Sequence, residues 1–164
     1  MPTRRAVLQG LGLGAAAFLS PAAAQALESL RDTGDAAKTV FFGADEFALV
    51  EALTDRIIPT DAQSPGARAA RVAEFVDLLL SEQDEDLQRT WREGLGAVDA
   101  AAREAQGRKF AGLDAAAQDA LLAEWSRNET DPKTPLEQFF VEAKLRTIQG
   151  YYTSEIGIHK DLRY

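Results

Sequence analysis

The sequence holds one histidine, His159, and no cysteine. Glu155 stands four positions before His159, a spacing that on a helix brings a carboxylate and an imidazole to one metal ion. Gly157 between them weakens such a helix, and two ligands leave most of a metal's coordination unfilled. A surface or interface histidine is the simpler reading. A Ser-His-Asp triad would also have to use His159, and no G-x-S-x-G elbow is present. Lack of cysteine excludes disulfides, thiolate zinc sites, cysteine-bound iron–sulfur clusters, haem attachment through C-x-x-C-H and a lipidated N-terminal cysteine. Asp and Glu total 26, so pairs of carboxylates read as a solvated face. No catalytic, cofactor-binding or metal site is expected, and the residue types point to a chain that binds.

The most specific local pattern lies at the start. Thr3-Arg4-Arg5-Ala6-Val7-Leu8 is a twin-arginine sequence, followed by a mild apolar stretch from Leu8 to Leu19 that Gly10, Gly12 and Gly14 interrupt. Ala22-Ala23-Ala24 offers small residues for signal peptidase, and Ala24-Gln25-Ala26 is a second choice. Residues 1–24 are therefore expected to be a twin-arginine signal peptide. The apolar stretch is too short for a membrane anchor, and no later stretch is apolar enough to span a bilayer. The Gly10, Gly12, Gly14 string follows no strand and opens no helix, so it is not a dinucleotide loop. The expected location is the periplasm, reached through the Tat translocase. That route carries folded proteins, often with a cofactor or a partner, and the scarcity of ligand residues here favours a partner.

These features need a scaffold, and composition says which kind. The net charge is -8, and loss of Arg4 and Arg5 would make the chain still more acidic. An acidic surface repels phosphate backbones, so nucleic acid is excluded as a partner. Alanine is abundant and β-branched residues are sparse, which favours helices. Residues 25–43 read as an N-terminal arm, with Phe41-Phe42 stapling it to the first helix. Residues 44–164 read as one all-α domain of about five helices with an irregular C-terminal tail. The first helix runs from a cap at Asp45 to Ile58 and is stopped by Pro59. The second covers Ala67 to Ser81, with Val72, Phe75, Val76, Leu79 and Leu80 on one stripe. The third starts with Asp84-Glu85-Asp86 and buries Leu87, Trp91, Leu95 and Val98. In it Gly94 and Gly96 are expected to admit a neighbouring backbone. Asp114 caps the fourth, whose Leu121, Leu122 and Trp125 face inward. The fifth spans about Leu136 to Tyr151 after a rigid loop, Asp131 to Pro135.

From Gly150 to Tyr164 the helical spacing is lost while tyrosine and isoleucine accumulate. Aromatic side chains on a short irregular tail fill partner pockets at low entropic cost. Tyr151, Tyr152, Thr153, Ser154, Ile156, Ile158 and Tyr164 are the expected partner interface. The alternative is a tail folded back on its own helices.

Three features together resemble the gluconate 2-dehydrogenase subunit 3 family. They are the twin-arginine signal, the helix ending Asp55-Arg56-Ile57-Ile58-Pro59 before a Pro-Gly loop, and Gly150-Tyr-Tyr-Thr-Ser-Glu-Ile-Gly157. The spacing of Phe110, Leu113, Leu121, Leu122 and Trp125 is similar too. The resemblance implies a periplasmic complex. Its large subunit is a flavin enzyme of the glucose–methanol–choline type, holding FAD and oxidising a sugar, gluconate or a glucoside. Electrons pass on to a c-type cytochrome carrying haem c. The small subunit carries the export signal for both and supports folding of the large one. The resemblance supplies no catalytic residue for this chain. A free-standing periplasmic helical binding domain is the second reading. An independent enzyme, limited to one histidine and no cysteine, is the third.

Overall fold

A computed structural model describes residue 21 and residues 39–62 and 64–158. The leader with Arg4 and Arg5, most of the arm, His159 and Tyr164 lie outside the described residues. Six α-helices and two 3-10 turns occur among those residues, with no strand.

Helix α1, Ala44–Ile57, starts two residues earlier than the expected cap at Asp45 implies. Its cap is Gly43, whose N–H donates to Glu46 Oε2 at 2.9 Å. Asp45 and Glu46 thus both sit in the first turn, where the positive end of the helix dipole favours carboxylates. Pro59 follows the end, as the missing N–H of proline requires. The expected second helix is two: α2, Gly66–Ala69, and α3, Val72–Ser81. Arg71 between them has φ 55°, a left-handed backbone that a side chain seldom adopts. Its Nε donates to Glu74 Oε1 at 3.3 Å, across the start of α3. The break turns α2 so that Ala67 is fully buried.

Helix α4, Glu85–Gln106, is capped by Asp84, which accepts from Leu87 N at 2.9 Å, and ends at Gly107 in the left-handed region. The 3-10 turn Phe110–Gly112 leads to α5, Ala115–Trp125, where Asp114 accepts from Ala117 N. A second 3-10 turn, Ser126–Asn128, precedes α6, Pro135–Thr153. Proline at the first helical position loses no bond, because that N–H has no intrahelical partner. Thr134 and Glu137 complete a reciprocal cap: Glu137 N donates to Thr134 Oγ1 at 3.2 Å, and Thr134 N to Glu137 Oε2 at 3.0 Å.

Glu137 also accepts from Asn128 Nδ2 at 2.7 Å and from Lys133 N at 2.7 Å. These bonds, the Asn128 one first, favour the ionised carboxylate and hold it below the ordinary glutamate value of 4.5. A lowered folded value means that the cap is intact above 4.5 and loosens as pH falls through the folded value. In an acid titration followed by NMR, the Lys133 and Thr134 amide shifts should move together at a midpoint below 4.5. A midpoint at or above that value contradicts the cap.

The stripe expected on the second helix is realised on α3, where Val72, Phe75, Val76, Leu79 and Leu80 are all buried. Helix α6 packs against both α3 and α4. Its Phe139 meets Trp91 edge to face, with ring centres 5.2 Å apart. That contact explains Gly94: a Cβ there would lie 2.1 Å from Phe139 Cδ2, so only glycine admits the ring. Gly96 is different, with open space beside it and no close approach. Leu87, Phe47, Ile57 and Leu113 are half-buried at the rim of the core. Among the described residues no helix is long and apolar enough to cross a membrane.

Candidate functional site

Two of the distinctive sequence elements, the Ile-Ile-Pro turn and the Tyr-Tyr-Thr-Ser segment, meet in space. The loop after Pro59 is shaped by its own polar groups. Asp61 N donates to Ser64 O at 2.9 Å, Ser64 N to Asp61 Oδ1 at 2.8 Å, and Thr60 Oγ1 to Pro65 O at 2.7 Å. Ala67 N returns to Ile58 O at 2.8 Å. Gly66 has φ +80°, and a Cβ on it would lie 2.6 Å from Thr60 N. The loop therefore closes tightly and turns Ser64 inward, to 2% exposure. Arg56, at the end of α1, pairs with Asp119 on α5 at 3.7 Å.

Ser64 Oγ shares a hydrogen bond with the phenol of Tyr151, a residue 87 positions away. Ser64 Oγ also accepts from Gly66 N at 3.2 Å. Tyr151 is fully buried, and the ring of Tyr152 stands on it edge to face at 5.2 Å. A Cβ on Gly150 would lie 2.7 Å from Phe75 Cδ1, so glycine lets α6 lie close on α3 here. Ser154 ends the helix: its Oγ donates to Tyr151 O at 2.6 Å and accepts from Gly157 N at 3.0 Å. Residues 155–158 are helical again, with Ile158 N donating to Ser154 O.

The expected irregular tail is thus corrected as far as residue 158. Helix α6 continues to Thr153, and Gly150 within it serves close packing. The expected interface set divides in the same way. Tyr151 and Ser154 are buried in this chain, so their side chains are corrected from surface anchors to core. Tyr152, Thr153, Ile156 and Ile158 are half-buried, with Tyr152 and Ile156 packed against the core. Tyr164 lies outside the described residues. Trp91 and Trp125 are core residues, at 1% and 6% exposure.

Sequence reasoning missed Ser64 and Asp77. Ser64 left no signal beyond a place in a Pro-rich loop. Asp77 did leave one, as the single charge within the apolar run from Phe75 to Leu80. The hub built by Ser64, Tyr151 and Ser154 fixes shape with hydroxyl and backbone partners. Among the described residues, no group of three His, Cys, Asp or Glu could hold a metal ion. Compared with known proteins, residues 44–164 match the sequence model of the family described as gluconate 2-dehydrogenase subunit 3. No curated protein and no solved structure matches the chain.

Proposed function

We infer the function from one premise: the chain belongs to the gluconate 2-dehydrogenase subunit 3 family, and so is an accessory subunit of a dehydrogenase. The catalytic partner in this reading is a large flavin subunit of the glucose–methanol–choline type. It holds FAD, oxidises a sugar, gluconate or a glucoside, and delivers electrons to a c-type cytochrome with haem c. This chain contributes no redox group. It carries the partner through the Tat translocase into the periplasm, and it stabilises the partner's folded form by binding that form alone. The observation behind the reading is the family match from residue 44 to 164, which takes in both elements of the Ser64–Tyr151 hub.

The hub presents a half-buried patch of Tyr152, Thr153, Ile156 and Ile158. A stable interface needs about 800 Å² from each partner, within reach of such a patch and a helix face. Tyr152→Ala combined with Ile156→Ala is expected to weaken capture of the large subunit. One lost anchor of about 2 kcal/mol corresponds to roughly thirtyfold in Kd. Pull-down from periplasm, with circular dichroism to verify folding, measures it. Undiminished recovery of the flavin subunit by a folded double variant would place the interface elsewhere. The isolated chain given sugar and a dye acceptor should show no turnover, and a flavin or haem copurifying with it alone would refute the accessory role.

A further inference from the structure

Asp77 sits on α3 among apolar neighbours and is 3% exposed. A buried carboxylate is costly without partners. Its partners are three consecutive backbone N–H groups of the segment before α1. Val40 N donates to Oδ2 at 2.6 Å, Phe41 N to Oδ1 at 3.0 Å, and Phe42 N to Oδ1 at 2.7 Å. Residues 40–42 lie in no helix or strand. Three neighbouring donors therefore rest on one side chain 35 to 37 positions away. Two rings complete the attachment. Phe42 is buried, 6.1 Å from the centre of Trp91, and Phe41 lies beneath the Arg92 guanidinium at 4.4 Å. Val40, next to them, is 64% exposed.

We propose that Asp77 is a latch: it straps residues 40–42 across α3 and α4, and opening it frees the strap while the helices stay packed. The asymmetry of attachment makes the opening local. Helix α3 keeps its apolar stripe when the carboxylate is lost, whereas the strap loses every hydrogen bond named above and is left with the packing of Phe41 and Phe42. The latch forms only when α3 is in place. Opening uncovers Phe41, Phe42 and the indole of Trp91 at that junction.

Hydrogen exchange on the full chain tests this with Asp77→Ala. Amides of Val40, Phe41 and Phe42 should exchange about a hundredfold faster, as the loss of three charge-assisted bonds implies. Those within α4 and α6 should keep their protection, and chymotrypsin should cut at Phe41 or Phe42. Continued protection of the strap in the variant would overturn the latch. Equal loss of protection in strap and helices of a folded variant would overturn the local opening. If Asp77→Ala does not fold, the wild-type chain in low denaturant decides. Strap amides whose exchange is independent of denaturant support the latch, and strap amides that follow global unfolding refute it.

Discussion

Tyr151→Ala should remove about 3–5 kcal/mol of stability, the loss seen when large buried aromatic side chains are truncated. The ring is fully buried, and its phenol joins the Pro59–Pro65 loop to the end of α6. Truncation opens a cavity beside the Pro59–Pro65 loop and leaves the Ser64 hydroxyl with one bond fewer. Two conservative changes separate packing from polarity. Tyr151→Phe keeps the ring, and Ser64→Ala removes only the hydroxyl, so each should cost about 1 kcal/mol. Combined, they should cost less than the sum, because each alone removes the same bond. Urea denaturation of wild type and the four variants measures this. A Tyr151→Ala protein within about 1 kcal/mol of wild type would mean that the hub is ornamental. Any loss of partner capture in Tyr151→Ala then follows from unfolding, which is why Tyr152 and Ile156 are the sharper probes of docking.

Replacing Arg4 and Arg5 with lysine should strand both subunits in the cytoplasm. The change keeps the charge and the apolar stretch behind it, and removes only the planar guanidinium fork that presents paired donors. Periplasmic dehydrogenase activity should fall to the background of a strain lacking this chain, while the large subunit accumulates inside the cell. Fractionation with an immunoblot for both subunits, and a dye-linked assay of the periplasm, give the answer. Activity that stays periplasmic would end the escort proposal. A free-standing binding domain predicts a third pattern, with this chain retained and every sugar dehydrogenase located as before.

The helices were legible because their signals are local. Asp84 and Asp114 reach an N–H three residues on, and Pro59 acts on the turn just before it. The spacing of Val72, Phe75, Val76, Leu79 and Leu80 needs only the period of one helix to show its buried side. The start of α1 was misplaced because Asp45 and Gly43 both fit the entry, and only Glu46 folding back on Gly43 selects one. Arg71 gave no sign of a break, since arginine is a good helix former and nothing local imposes its positive φ. The tail was misread for a related reason. Glycine and tyrosine suggest an irregular surface segment when seen along the chain, yet Gly150 and Tyr151 answer to Phe75 and Ser64, far away in sequence.

By itself, then, the amino-acid order determined an acidic, cysteine-free, helical chain, the Asp114 cap, the acidic start of α4 and most of the inward faces, since each of these depends on neighbours within one or two turns. Tertiary structure alone decided that the loop after Pro59 grips Tyr151, that Asp77 gathers three amides from the arm, and that α4 carries glycine opposite Phe139. Those contacts join residues 35 to 87 positions apart, and burial sets their worth: a hydroxyl or carboxylate that water would serve equally well at the surface must find its partner inside the protein.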